Sequence, residues 1–190
     1  MLIFEEGRRW SPTVNRFVVF LMGPLLRKHE VGQRSGSFYF ITGCLVSILA
    51  FHKSIATISI LYLSIGDPLA SMVGILLRHH SQFRFHRRSG KSLLGTMAMT
   101  GACSLITYML LAENYPSHDF WLITICISGG LSGGISELLS PYPIAVDDNF
   151  LIPVISSCAL WFVFHVTGVD VQRLLLPDFI KVTLPPWWRS

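Results

Sequence analysis

A chain of 190 residues that is 51% hydrophobic and only 14% charged, with a mean hydropathy of +0.53, is too apolar for a water-soluble domain of its size. Its net charge of +4 calls for no nucleic acid, because the basic residues gather beside apolar runs, where they meet anionic lipid. The composition therefore describes an integral, multi-pass membrane protein, all-α in class: a polytopic bundle of about five transmembrane helices plus an N-terminal amphipathic helix. The four cysteines, Cys44, Cys103, Cys126 and Cys158, fall singly in four different apolar runs without metal-ligand spacing and read as small apolar residues.

Residues 1–35 form the first unit. Residues 1–10 hold two acids, two arginines and no apolar core, so no cleavable signal peptide is expected. Ser11-Pro12 has the form of an N-cap with proline at the first helical position. Val14, Phe17, Val18, Leu21 and Leu25 then recur at three- and four-residue steps, which predicts a helix of about four turns. It lies in the membrane interface with Arg27, Lys28 and His29 at its exposed end, or it packs on the bundle as a partial span. Residues 36–167 are the bundle itself, with spans expected at about 36–51, 54–77, 91–112, 119–139 and 150–167, the first of them short. Residues 168–190, with Pro177, Pro185 and Pro186, read as an irregular tail whose Trp187 and Trp188 suit the outer interface.

The basic residues orient the spans, since Lys and Arg are retained in the cytoplasm. Arg8, Arg9, Arg16, Arg27, Lys28 and Arg34 precede the first span, and Arg78, Arg84, Arg87, Arg88 and Lys91 separate the second from the third. The turns expected on the other side hold only Lys53. The loops RHHSQFRFHRRSGK and SPYPIAVDDN are thus expected to be cytoplasmic.

The second span, SILYLSIGDPLASMVGILL, contains an aspartate and a proline in mid-run. An ionisable side chain inside a span is costly unless it faces a cavity, a partner or a cation, so Asp67 is a functional candidate. Asp67-Pro68 has the chemistry of a helix start, which predicts a span broken into two half-helices whose unpaired N–H groups face inward; a plain capping role for Asp67 is the alternative. Gly66, Ala70, Ser71 and Gly74 would let a neighbour approach closely, and Gly66 and Pro68 would orient Asp67.

At the start of the third span, SGKSLLGT sets Lys91 and the amides of Ser92, Leu93 and Gly95 where phosphate can be held, although the spacing is not that of the soluble phosphate loop. A snorkelling anchor is the alternative for Lys91. Glu137 lies near the end of the fourth span, and Asp147-Asp148-Asn149 just before the fifth. Adjacent carboxylates suit a hard cation such as Mg²⁺, which binds through one or two carboxylates plus substrate phosphates; an ordinary N-cap is the other reading. Acids for metal and a lysine for phosphate on one membrane face describe a nucleotide site facing lipid. The roles follow: Asp67 and Asp148 as Mg²⁺ ligands, Asp147 as a second ligand or acceptor of a hydroxyl proton, and Glu137 as a further metal or proton-handling group. Asn149 would orient a carboxylate, and Lys91, Ser92, Gly95 and Arg78 would bind the nucleotide.

GDPLASMVG, GKSLLGT and VDDNFLIPVIS, in that order, resemble the signature blocks of the polyprenol kinase family, which includes dolichol kinase, phytol kinase and the CTP-dependent diacylglycerol kinases and is related to the phosphatidate cytidylyltransferases. The likeness runs from about Glu5 to Trp161. It implies transfer of phosphate from a nucleotide, commonly CTP, to the hydroxyl of a lipid alcohol at the cytoplasmic face. The departures are Leu94, where the family's second block usually has Glu, and Gly74-Ile75, where it has Gly-Arg; members also usually carry further spans before the point where this chain begins. Nucleotidyl transfer to a lipid phosphate and a non-catalytic, transporter-like role are the competing readings.

Overall fold

The computed structural model describes residues 10–13, 15–16, 35–77, 92–112, 120–140 and 146–169. At Ser11 the carbonyl accepts the Asn15 N–H at 3.0 Å, the first bond of a helix entered through Pro12. The rest of the expected amphipathic helix, the basic loop 78–91 and the tail from 170 lie outside the described residues.

The first bundle helix, α1, is Gly36–Ala50. Ser35 caps it by accepting the Phe38 N–H, at 3.4 Å. Fifteen residues rise only about 22 Å, too short to cross hydrocarbon about 30 Å thick, so α1 is an apolar helix but not a full span. Phe51 turns the chain in extended backbone, and His52 caps the next helix by accepting the Ser54 N–H at Nδ1. Among the described residues, four helices are long and apolar enough to cross a membrane: α2, Lys53–Leu76; α3, Leu93–Leu111; α4, Phe120–Leu139; and α5, Asp148–Thr167. The chain is thus a polytopic helical bundle.

The expected break at Asp67-Pro68 is not there. Helix α2 runs on through a π-helical turn, Tyr62–Gly66, in which the Asp67 N–H reaches back to the Tyr62 carbonyl. Gly66 and Asp67 both keep right-handed helical backbone, so no helix N-terminus opens at Asp67. The reason is the proline's geometry set against the solvent. In an unbroken α-helix Pro68 lacks an N–H for the carbonyl one turn back and crowds it. Ending the helix in hydrocarbon would strand several more polar groups, whereas one wider turn absorbs the misfit.

Helices α2 and α3 pair antiparallel along a line of small residues. A Cβ on Gly74 would stand 3.2 Å from Ser92 Oγ, one on Gly95 3.0 Å from the Ala70 carbonyl, and one on Gly66 2.8 Å from Met99 Sδ. Gly66, Ala70 and Gly74 thus do what the sequence suggested, while Ser71 is exposed. Helix α4 pairs antiparallel with α3 even more closely: a Cβ on Gly130 would meet Ser104 Oγ and lie 2.6 Å from the Thr100 carbonyl, and one on Gly133 would lie 2.7 Å from Cys103 Sγ. Small side chains make this backbone approach possible where lipid offers no hydrophobic drive to associate. Helix α5 then packs on α1, α2 and α4. Pro153 leaves the Asn149 carbonyl without its helical donor, and Gly43 of α1 fits against that carbonyl, Phe150 and Pro153; its Cβ would be 2.9 Å from each.

Several buried hydroxyls are satisfied by their own helices, with Thr107 Oγ1 donating to the Cys103 carbonyl at 2.9 Å and Ser136 Oγ to the Gly133 carbonyl at 2.8 Å, whereas Ser47 Oγ and Ser156 Oγ are buried without a partner among the described residues. Two hydroxyl pairs cross between helices, Ser59 with Ser157 at 2.7 Å and Tyr62 with Thr107. Apolar side chains such as Leu49, Ile75 and Phe120 cover the outside, as a lipid-facing surface requires.

Candidate functional site

Helix pairing brings three of the carboxylate positions to one height of the bundle. Ser59 of α2 faces Ser157 of α5. Eight residues further along α2 is Asp67, and eight back along antiparallel α5 is Asn149, the residue after Asp148. Glu137 stands one turn beyond Gly133, which packs on Cys103, and Cys103 packs also on Gly66, the neighbour of Asp67. The end of α4, the start of α5 and the middle of α2 therefore lie at a similar level along the bundle, while α2 continues to Leu76 and α3 begins beyond it at Leu93. Asp67, Asp147 and Asp148 are half-buried, and Glu137 is 5% exposed.

At the head of α5, Asp147 is the N-cap. Its Oδ1 accepts the Asn149 N–H at 3.0 Å, and Oδ1 of Asp148 accepts the same N–H at 3.1 Å. The Asp147 carbonyl takes the N–H groups of Phe150 and Leu151, both at 3.1 Å. One backbone donor thus holds two carboxylates side by side. Burial, and after it the charge of Asp148, push Asp147 above the ordinary carboxylate range, and the Asn149 N–H offsets part of that rise. Asn149 does orient carboxylates, but through its main chain. Across the preceding turn, Ser140 Oγ donates to the Val146 carbonyl at 2.9 Å and ties the end of α4 to the approach to α5.

At the head of α3 the structure corrects one expectation. Ser92 is the N-cap, and its Oγ accepts the Gly95 N–H at 3.0 Å, so the Gly95 amide is spent on its own helix and not available to a phosphate. The Ser92 hydroxyl is wedged between Gly74 and Gly95, as a joint between α2 and α3. Leu93 and Leu94 remain first-turn amides with no acceptor within their helix. Lys91 and Arg78 lie outside the described residues.

Among the described residues no three His, Cys, Asp or Glu side chains converge as a ready-made metal cluster. Mg²⁺ takes only one or two carboxylates and completes its shell with phosphate and water, so half-buried Asp67 and Asp148, on separate helices, would be the residues to hold it. Sequence reasoning passed over Tyr62 and Thr107, which lie behind Asp67. A tyrosine five residues before an intramembrane Asp-Pro was the available signal, since five residues is the spacing of a π-helical bond.

Three curated proteins resemble the chain. Each is a CTP-dependent diacylglycerol kinase 1. That of Schizosaccharomyces pombe is 28% identical over 162 residues, covering 80% of this chain and 71% of the relative. Those of Eremothecium gossypii and Saccharomyces cerevisiae are 30% and 26% identical over 173 residues, covering 83% of this chain. The chain spans 53% and 58% of the lengths of these two. These similarities support the assignment of the chain to the polyprenol kinase family. No family model matches it, and no solved structure does. Of the polyprenol kinase signature blocks, GDPLASMVG falls on α2 just after the π-turn, SLLGT on the head of α3, and VDDNFLIPVIS on the head of α5.

Proposed function

We propose that this polyprenol kinase homologue is a membrane lipid kinase that transfers the terminal phosphate of CTP to the hydroxyl of a lipid alcohol, with diacylglycerol as the first candidate substrate. What supports the reading is the helix register, which sets Asp67, Glu137 and the Asp147-Asp148-Asn149 run, distant in sequence, at a similar height along the bundle. The named activity of the relatives supports it. In the reaction a bond forms between the lipid oxygen and the terminal phosphorus, the bond from that phosphorus to its bridging oxygen breaks, and CDP leaves.

Each residue's part follows from its setting. Asp67 and Asp148 would hold Mg²⁺, which when bound neutralises charge on the phosphates. Asp147, whose carboxylate is held above its ordinary affinity for protons, accepts the proton of the lipid hydroxyl. Glu137, enclosed between α3 and α4, is a reserve proton-handling or metal group. Lys91 and Arg78 attract and hold the nucleotide's phosphates from the cytoplasmic side, and the Leu93 and Leu94 amides can add helix N-terminal donors. Ser92 serves as the cap that sets those amides in place.

Asp67→Asn tests the reading. Asn matches Asp in size and nearly in helix propensity, so stability should change by less than about 1 kcal/mol. Turnover should fall on the order of 10²- to 10³-fold if the carboxylate's charge is required. Activity is read with CTP labelled on its terminal phosphate in diacylglycerol vesicles: label in the lipid is expected, label in pyrophosphate would mean nucleotidyl transfer instead. A folded Asp67→Asn protein of normal activity would reject the assignment of Asp67.

A further inference from the structure

We propose that Tyr62 is a positioning residue for Asp67, acting through the π-helical turn and locked by Thr107. This rests on the reading of Asp67 as a group that engages the metal and nucleotide. In a regular α-helix a residue five positions on is rotated by about 140°, so Asp67 would stand well round the helix from the enclosed Tyr62. The π-turn closes a turn over those same five residues, and the Asp67 N–H bonds to the Tyr62 carbonyl, which swings Asp67 toward the face that Tyr62 buries.

Both ends of the turn are fixed to α3. At one end Tyr62, with none of its surface exposed, points its hydroxyl at Thr107 Oγ1. The direction of that bond is decided by Thr107, whose own proton goes to the Cys103 carbonyl at 2.9 Å; Tyr62 must donate and Thr107 accept. At the other end Gly66 lies against Met99 and Cys103, with room for no Cβ. Gly129 of α4 completes the seat, since a Cβ there would collide with the Tyr62 hydroxyl. Between them Leu63 is buried in the core, while Ile65 and Ser64 are exposed, the Ser64 hydroxyl donating back to the Ile60 carbonyl at 2.9 Å. A π-turn is a strained alternative to the α-helix, and this one is clamped at its two ends immediately before the carboxylate.

The test compares Tyr62→Phe, Thr107→Val and Thr107→Ser with the parent and with Asp67→Asn, all purified and checked for folding by thermal unfolding. Two readouts are used: turnover with CTP, and Mn²⁺ binding in the presence of CTP followed by electron paramagnetic resonance. Tyr62→Phe and Thr107→Val each remove one partner of a single hydrogen bond, so each should weaken Mn²⁺ binding and lower turnover about tenfold, in line with the cost of misplacing a reacting group by about 1 Å. Thr107→Ser keeps the acceptor and should restore both. The double variant Tyr62→Phe/Thr107→Val should be no worse than either single one, because the two act on one bond. Mn²⁺ binding within twofold of the parent in the folded single variants, or losses that multiply in the double one, would overturn the proposal. Failure of the underlying reading shows separately: it is an Asp67→Asn protein that binds Mn²⁺ and turns over normally.

Discussion

Asp147 caps α5 while standing beside Asp148, and the two duties have opposite effects on its proton. Its carboxylate is raised above the ordinary value of 3.8, by burial first and by Asp148 second. Between that value and the raised one, the folded chain binds more protons than the unfolded chain. This group's contribution to stability is therefore complete at low pH and is lost as pH rises through the window. Asp147→Asn keeps an equivalent cap and removes the titration, so thermal unfolding of parent and variant should diverge in the variant's favour as pH rises above the ordinary value of 3.8. A gap that stays constant with pH would refute the account. The residue scale is also where the sequence was hardest to read. That Asp147 precedes a helix was visible in VDDNFLIP; that one N–H, of Asn149, binds both carboxylates depended on backbone direction. Ser92 was likewise visible as a helix start, but capping and phosphate binding ask for the same residue types, and only geometry showed where the Gly95 N–H goes.

The four long helices were legible as elements because hydrocarbon demands long apolar runs, and their ends fell within a few residues of the hydropathy boundaries. The π-turn was not legible. Pro68 signals a break under rules learned in water, where freed backbone groups find solvent, and in lipid the same residue selects the option that frees fewest. The contacts of the α4 glycines differ sharply from that of Gly101 of α3, which has nothing within 4 Å of its Cβ position. This difference gives a paired test. Gly130→Ala drives a methyl into Ser104 and the Thr100 carbonyl and should cost on the order of 1–3 kcal/mol. Gly101→Ala should be neutral or stabilise by up to about 1 kcal/mol through helix propensity. Chemical denaturation in detergent micelles measures both; equal effects at the two sites would contradict the packing described.

At the scale of the molecule, the antiparallel pairings set Lys53 at one end of the bundle and Val146 at the other. If the basic loop 78–91 is cytoplasmic, as its charge predicts, a cysteine replacing Lys53 should be labelled by an impermeant reagent on intact cells, and one replacing Val146 only after permeabilisation. Labelling in the reverse order would turn the site to the outer face. The fold class followed from composition alone, whereas the common height of Asp67, Glu137 and Asp148 required the helix registers, which no local pattern encodes. The seat of Gly43 on Asn149, Phe150 and Pro153 has a consequence for biogenesis. Helix α1 leaves the ribosome before α2 to α5, but the groove that receives it is built by α5. During synthesis α1 must therefore wait, too short to span the bilayer by itself, until some hundred residues later α5 arrives. Two distant stages of translation are thereby joined in one contact, and the aspartate pair at the head of α5 reaches its final setting only when α1 and α5 close on each other.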